Sequence, residues 1–221
     1  FFTSGGTEAD NMAIWQTVMD LQIKHVVTSR IEHHAVLHTV EELARRGLVT
    51  IDYLPVDEKG YVKTSALENC LEGKGKCLVT LMHANNEIGN LIDLKYVSEV
   101  CKRYGAVFHS DTVQTIGHYC LDLQETPIDI ISCSAHKFNG PKGAGFIYIN
   151  SDVVVNPLMY GGAQERNMRG GTENIYGIVG LQTALELSCT DLKKHEEYVL
   201  GLKYHMMERL EKEIKGAHFN G

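Results

Sequence analysis

The 221-residue chain lacks the features that would place it in a membrane or on nucleic acid. No apolar run approaches the roughly 18 residues that a membrane-spanning helix needs. No positively charged start followed by an apolar stretch resembles a signal peptide. A formal net charge of −7 argues against a general nucleic-acid binder. We therefore expect a protein with neither a membrane nor a nucleic acid as partner.

The chain also lacks paired cysteines and clustered histidines. Its six cysteines form no CxxC pair, and its eleven histidines show no metal-ligand spacing such as HExxH. Scattered thiols are typical of reduced cysteines in the cytosol and not of a disulfide frame or a zinc site. We expect a cytoplasmic protein without a metal. Because the first residue is Phe1 and not Met, we expect a piece of a longer chain or a processed product.

Helical and strand patterns alternate from end to end. Apolar spacing predicts helices over 7–21, 34–46, 64–72, 92–104 and 191–215, and a further helix that begins near Glu173. Apolar runs predict strands over 25–29, 49–56, 77–83, 106–110, 129–134 and 145–150. Thr7 with Asp10 resembles a capping box at the first helix. The alternation predicts one α/β domain with a mostly parallel sheet, in which ligands bind beyond the carboxyl ends of the strands.

Polar segments follow several of these strands, at the edge where a ligand would lie. The segment 4–7 (SGGT) leads into a helix, where glycines and free N–H groups suit an anion. Asp111 ends an apolar strand, and its carboxylate needs a cation or strong donors there, such as a protonated pyridine nitrogen. Each feature has an ordinary alternative, since small residues also cap helices and an aspartate also serves as an N-cap.

Lys137 follows another strand in a glycine-rich segment. A lysine in a partly dry site has a lowered pKa and can form a Schiff base, and the adjacent Ser134 and His136 suit a phosphate. The alternative is a lysine on a solvent-facing loop. A charged loop over 164–174 (QERNMRGGTEN) also suits an anion, or is a surface loop with salt bridges. His33 precedes a helix and can stack on a ring or move a proton.

Taken together, six segments resemble motifs of the cysteine desulfurases, which belong to class V of the fold-type-I enzymes that use pyridoxal 5′-phosphate (PLP). They are 3–11 (TSGGTEADN), 32–36 (EHHAV), 83–89 (HANNEIG), 109–114 (HSDTVQ), 134–143 (SAHKFNGPKG) and 164–174. The last is similar to the signature of the nitrogen-fixation-type branch, which serves iron–sulfur assembly. The motifs occur in order over essentially the whole chain. The resemblance implies a three-layer α-β-α large domain of a PLP-dependent transferase (aminotransferase) over residues 1–221.

The resemblance also implies roles for ten residues. Lys137 would hold PLP as a Schiff base and later move protons, and His33 would stack on the pyridine ring and assist in proton transfer. Asp111 would pair with the pyridine nitrogen. The other implied cofactor contacts are Gln114 and Asn86 at the ring hydroxyl, Thr7, Ser134, His136 and the Gly6 backbone at the phosphate, and Thr172 at the phosphate of the partner subunit in a homodimer.

Members of this group remove sulfur from L-cysteine, release L-alanine and carry the sulfur as a cysteine persulfide. The sulfur goes to iron–sulfur cluster or thio-cofactor assembly, so a scaffold or sulfur-acceptor protein is an expected partner. They are nearly twice as long as this chain, and we expect their N-terminal segment and C-terminal small domain to be absent here. None of the six cysteines matches the persulfide motif, and no residue is assigned that role.

Other functions share much of this pattern. Selenocysteine lyase has nearly the same motifs and differs in the segment that carries the reactive cysteine. A class-V aminotransferase is disfavoured by the loop over 164–174. A scaffold without catalysis is the alternative from another class, but such a module has no need to keep Lys137, Asp111 and His33 together. We therefore expect a PLP-dependent cysteine desulfurase, and the alternative is a catalytically incomplete scaffold or binding fragment.

Overall fold

The computed structural model describes residues 1–219 as a seven-stranded sheet with helices on both faces. The strands are β1 (Phe2–Thr3), β2 (His25–Ser29), β3 (Thr50–Leu54), β4 (Cys77–Thr80), β5 (Val107–Asp111), β6 (Ile130–Ser134) and β7 (Gly145–Ile149). The helices are α1 (Gly6–Asp20), α2 (His34–Arg45), α3 (Leu67–Leu71), α4 (Leu94–Tyr104), α5 (Ile175–Thr190) and α6 (Leu192–Glu213). Short 3-10 helices cover Thr64–Ala66, Ala135–Phe138 and Gln164–Asn167. The predicted α/β class is confirmed, and the last two residues of the predicted domain, Asn220 and Gly221, lie outside the described residues.

The order of the strands places many strand ends on one edge of the sheet. The order is β1-β7-β6-β5-β4-β2-β3, and the pairs from β6 to β3 are all parallel. Strand β7 runs antiparallel to both of its neighbours. Strand β1 therefore points the same way as the five parallel strands. The loops that follow β1, β2, β4, β5 and β6 all leave the sheet at the same edge, as predicted for a mostly parallel sheet.

Alternating side chains of the central strands divide the core into two layers. Val26, Leu78 and Ile130 face helices α1 and α2, whereas Val27 and Phe108 face helices α3 and α4. Such strands are buried on both faces, which explains why they read as continuous apolar runs in the sequence. Helix α5 packs on the segment after β6 through Leu181, in a smaller third cluster with Phe138.

The boundaries of several elements differ from the predictions by one to three residues. The strand predicted over 77–83 ends at Thr80, although the amides of Leu81 and His83 still donate to the carbonyls of His109 and Asp111. The helix predicted over 64–72 begins as a 3-10 turn. Among residues 1–219, no helix combines the length and the apolar character that crossing a lipid bilayer requires.

Candidate functional site

A cleft lies at the carboxyl edge of the sheet, where the loops after five strands meet. It is lined by Gly6, Thr7, Asp10, His33, Met82, Asn86, Asp111, Val113, Gln114, Ser134, His136 and Lys137. Nine of the ten residues singled out in the sequence are therefore brought together, although they come from segments up to 131 positions apart. The tenth, Thr172, is exposed and does not line this cleft. Buried groups form the floor of the cleft, and Thr7, His33, Asn86, His136 and Lys137 form an exposed rim.

One end of the cleft is built for an anion. Helix α1 begins at Gly6, and its first N–H groups are free of any side-chain cap, so they can donate to a ligand. The Ser134 hydroxyl and His136 Nδ1 lie 2.8 Å apart beside this helix start. A Cβ atom at Gly6 would come within 2.6 Å of the Val113 side chain, so glycine is needed for this close approach. This end of the cleft suits a phosphate group.

The capping box predicted from Thr7 and Asp10 is wrong. The N-cap is Gly5, and the first-turn acid that turns back is Glu8, whose Oε2 accepts from the Ser4 amide at 2.7 Å. The Asp10 side chain instead points to the floor of the cleft and is 1% exposed. The physical reason is that the helix begins at Gly6, so Asp10 lies beyond the first turn, where a carboxylate can cap free amides, and is buried instead.

Asp111 lies at the floor of the cleft, where β5 ends. Its side chain is buried, and its Oδ1 accepts a 2.9 Å hydrogen bond from the Val113 amide. Burial, together with the nearby Asp10 carboxyl, raises the pKa of Asp111 to about 7, while the Val113 amide, His109 and His33 lower it. An ionised Asp111 is therefore costly until a cation reaches it. A carboxylate held in this way is suited to a cationic ring nitrogen.

Two further buried acids lie near Asp111. Asp10 has its pKa raised to about 7, mainly by burial, against the effect of the Ser132 hydroxyl. Glu32 has its pKa raised to about 8, again by burial first, and its Oε1 accepts a hydrogen bond from the Ser29 hydroxyl. Sequence reasoning gave neither acid a place in the site. The available signal for Asp10 was its position one turn after Gly6, on the same helix face.

The rim carries the groups that can act on a bound molecule. Lys137 lies in the 3-10 helix directly after β6, and its carbonyl oxygen accepts a 2.9 Å hydrogen bond from His118 Nε2. His33 caps helix α2, where its Nδ1 accepts from the Ala35 amide at 3.1 Å. This bond leaves Nε2 free to meet a ligand. The amine follows β6 and the imidazole follows β2, and strands β5 and β4 lie between these two in the sheet.

The loop over 164–174 lies beside the start of α1 and is held there by an ion pair. Arg169 Nε donates to Glu8 Oε1 at 2.8 Å, and both side chains are largely buried. Burial opposes ionisation of Glu8, but the hydrogen bonds from Arg169 and Ser4 leave its pKa lowered. Arg169 therefore has a partner within the chain, so of the two arginines that suit an anion, only Arg166 is without an ion pair in the described residues.

The residues of the cleft fit PLP in their chemistry. The Ser134 hydroxyl, the His136 imidazole and the free start of α1 suit the phosphate. The buried Asp111 on the floor suits the ring nitrogen, and the exposed Lys137 amine suits the aldehyde. The buried Asp10 Oδ1 has no hydrogen-bond partner among the described residues, so the floor holds more acid than it holds donors. This donor set agrees with a cationic pyridine ring above the floor.

Comparisons with known proteins agree with this fit. Residues 1–221 match the family described as aminotransferase class-V. A protein named cysteine desulfurase IscS from Dictyoglomus turgidum is 43% identical over 222 residues, which cover 100% of this chain and 56% of that protein. The chain thus spans about half the length of the curated relatives that it matches.

Solved structures lead to the same group. A NifS-like protein superposes with a TM-score of 0.90 at 37% identity, over 95% of this chain and 58% of its own chain. A structure titled SspA in complex with cysteine superposes with a TM-score of 0.77 at 34% identity, over 84% of this chain and 54% of its own. The predicted resemblance and the predicted fold are both confirmed by these matches.

Proposed function

We propose that this chain, which belongs to the class-V aminotransferase family, binds PLP in the cleft and is the large domain of a cysteine desulfurase. The observation that carries the proposal is the convergence of an anion-binding helix start, a buried acid and an exposed lysine in one cleft. The 43% identity to a named cysteine desulfurase over the whole chain supports cysteine as the substrate. Because about half of that relative is matched, the complete reaction is a proposal for the full-length enzyme.

When bound, PLP supplies an electron sink that stabilises negative charge at the Cα atom of an amino acid. The residues of this chain would arrange that chemistry. Thr7, Ser134, His136 and the Gly6 amide would hold the phosphate, and Gln114 and Asn86 lie where they can bind the ring hydroxyl. Asp111 would keep the ring nitrogen protonated, because a buried carboxylate stabilises a cation beside it.

Two rim residues would move protons. The Lys137 amine would hold the cofactor through its Nζ atom, and as a free amine it would take a proton from the substrate Cα. His33 can stack over the ring and pass a proton through its free Nε2, since its Nδ1 is held by the Ala35 amide. No cysteine of the described residues lines the cleft, so no sulfur-accepting residue is assigned among them.

We further propose a homodimer in which Thr172 contacts the phosphate held by the partner. The exposed position of Thr172, outside its own cleft, supports this assignment. An iron–sulfur scaffold or another sulfur-acceptor protein is the proposed recipient of the sulfur. The six free cysteines support a cytoplasmic location.

The cofactor site can be tested by reconstitution with PLP, borohydride reduction and peptide mass mapping. We expect a pyridoxyl adduct on Lys137 in the wild-type protein and in the control variant Lys142→Ala, which changes a neighbouring lysine of the same segment. We expect no adduct in Lys137→Ala. An adduct on Lys142, or no adduct on a folded wild-type protein, would contradict the proposal.

The substrate can be tested on the full-length enzyme by comparing alanine release from L-cysteine and from L-selenocysteine. Release of alanine from L-cysteine, with sulfide formed when a dithiol reductant is supplied, supports the desulfurase. Alanine release from L-selenocysteine but not from L-cysteine would show a selenocysteine lyase instead of a cysteine desulfurase. Conversion of the cofactor to its pyridoxamine form by an amino donor would favour an aminotransferase.

A further inference from the structure

The strongest unexplained feature of the cleft is the buried carboxyl group of Asp10. The side chain is 1% exposed, it lines the cleft, and its Oδ1 has no hydrogen-bond partner among the described residues. A buried acceptor without a partner costs free energy, and a buried charge costs far more. The proposed function assigns Asp10 no role, so its position needs a separate explanation.

The nearest basic group does not neutralise Asp10. His109 Nε2 lies 3.5 Å from Asp10 Oδ1, but this ring is fully buried between two hydroxyls. Its Nδ1 lies 2.8 Å from Thr80 Oγ1, and its Nε2 lies 2.8 Å from Ser132 Oγ. Burial lowers the pKa of His109 to about 4, so the ring is neutral at pH 7. Asp10 therefore faces a dipole and not a cation.

Asp111 is the second acid at this point of the floor. One side-chain oxygen each of Asp10 and Asp111, and one ring nitrogen of His33, all lie within 4.8 Å of one another. Two buried carboxyl groups at this distance cannot both ionise cheaply, because each charge raises the pKa of the other. Their protons are then properties of the pair.

Four other titratable groups surround the pair. Glu32, before α2, is a third buried acid and adds to the repulsion. His33 from the same segment has a ring nitrogen within 4.8 Å of both carboxyl oxygens and lowers the pKa of Asp111, which nevertheless stays raised to about 7. Lys137 after β6 reaches the cleft from the exposed rim. His109 from β5 is neutral at pH 7. Apart from Lys137, no lysine or arginine of the described residues lines the cleft.

We propose that Asp10 and Asp111 form a coupled carboxyl pair that shares one proton while the cleft is empty and gives this proton to solvent when a cationic ring binds over Asp111. Asp10 is then a positioning residue, because it acts on the cofactor through Asp111. The two charges that result after binding strengthen the hold on a protonated ring nitrogen. The first half of this inference concerns the cofactor-free protein, and the second half rests on the proposed function.

The cofactor-free half can be tested by thermal unfolding between pH 5 and pH 8. Each acid of the pair has a higher pKa folded than unfolded, so its stabilising contribution is present at low pH and is lost as the pH rises through about 7. Asp10→Asn keeps the shape and removes this loss. We expect the difference in thermal unfolding midpoint between Asp10→Asn and wild type to rise by roughly 3–8 °C from pH 5 to pH 8.

A purely structural role for Asp10 would give the same difference in unfolding midpoint between Asp10→Asn and wild type at every pH. This result would overturn the proposal of a coupled pair. Asp111→Asn is the second variant, because removal of either acid uncouples the pair. We expect its unfolding midpoint, relative to wild type, to rise with pH as well. The inference therefore stays testable if Asp10→Asn does not fold. The double variant should add little to the single ones. Additive effects would show that the two carboxyl groups titrate independently.

The second half can be tested by calorimetry of PLP binding at pH 7 in PIPES and in imidazole, two buffers of different ionisation enthalpy without a primary amine. The cofactor and Lys137 contribute equally in both proteins, so the difference between them isolates the pair. We expect wild type to release roughly half a proton to one proton more per bound PLP than Asp10→Asn. Equal release would overturn the second half. Absence of PLP binding in both proteins would overturn the proposed function and leave the unfolding result standing.

Discussion

The carboxyl group of Glu32 joins the two strands whose ends form one side of the cleft. Its Oε1 accepts from the Ser29 hydroxyl at the end of β2, and its Oε2 accepts from the Met82 amide after β4, each at 2.8 Å. The next residue along the chain is His33 on the rim. Glu32 therefore fixes the segment that presents this imidazole, and it does so as a 5% exposed acid.

Glu32→Gln should change how stability depends on pH. The pKa of Glu32 is raised to about 8, so its contribution to stability is present at low pH and is lost as the pH rises through about 8. The amide keeps the shape without that loss. We expect the free energy of unfolding of the variant, relative to wild type, to rise by about 4 kcal/mol from pH 5 to pH 9. Denaturant titrations at several pH values measure it.

The control for this prediction is Glu125→Gln, which makes the same chemical change at an exposed position. Its difference from wild type should stay flat over the same pH range. A flat difference for Glu32→Gln as well would contradict the raised pKa and leave Glu32 as a hydrogen-bonding group alone.

Single residues mark the limit of what the sequence predicts. Lys137 and Asp111 were predictable because a lysine and an acid directly after apolar strands need a reason to be there. Asp10 was not, because an acid in the first turns of a helix is usually a cap or a solvated charge. Its burial depends on how closely α1 packs against β5 and β6, which local sequence does not encode.

At the level of elements, the start of α1 and the loop over 164–174 are connected by the Glu8–Arg169 pair. Their side chains are 14% and 20% exposed, and Arg169 donates two hydrogen bonds to the carboxylate. Pairs of this kind are stronger than exposed ones, because solvent screens them less and the geometry is fixed. The pair holds the loop that carries Thr172 against the helix start that suits a phosphate.

A double-mutant cycle with Glu8→Gln and Arg169→Ala should give a coupling of about 1–2 kcal/mol in the free energy of unfolding. The coupling should weaken on acidification, since the pKa of Glu8 is lowered in the folded protein and its contribution is lost as the pH falls through that pKa. The exposed pair Arg209–Glu213 in α6 is the matched control and should give less than about 0.5 kcal/mol. Equal couplings for the two pairs would show that the partial burial of Glu8 adds nothing.

The elements themselves were largely predictable, and the reason is physical. The central strands are apolar on both faces, and helices such as α2 and α4 have one apolar side, so the two periods separate well in these elements. Their ends were less predictable, as in the strand predicted over 77–83, because irregular backbone bonds continue past Thr80. The left-handed backbone of Glu165, Arg166 and Asn167 was beyond prediction, since non-glycine residues rarely adopt it without tertiary contacts.

At the scale of the molecule, burial is very uneven. The central strands β2, β4, β5 and β6 are buried throughout, whereas α6 has no buried residue and exposes Tyr198, Leu202 and Met206. Segments with few buried contacts open at low free-energy cost. We expect amide hydrogens of α6 to exchange by local opening and those of β4–β6 only by global unfolding, as measured by hydrogen-exchange mass spectrometry.

The same experiment at two protein concentrations serves as the control. Protection of α6 that matches that of the central strands at both concentrations would contradict the prediction. Protection that appears only at the higher concentration would locate a contact between copies on this helix, and the cofactor-site predictions would be unaffected.

The pairing of β1 with β7 sets a constraint on the order of events during synthesis. Phe2 lies opposite Phe146, and the amide of Ile147 donates to the carbonyl of Phe1, so the edge that positions the glycines before α1 depends on residues made some 140 positions later. A ribosome that has released only β1 to β6 holds a nascent chain whose anion-binding turn has no strand to rest on. The anion-binding turn before α1 is therefore complete only after β7 has left the exit tunnel.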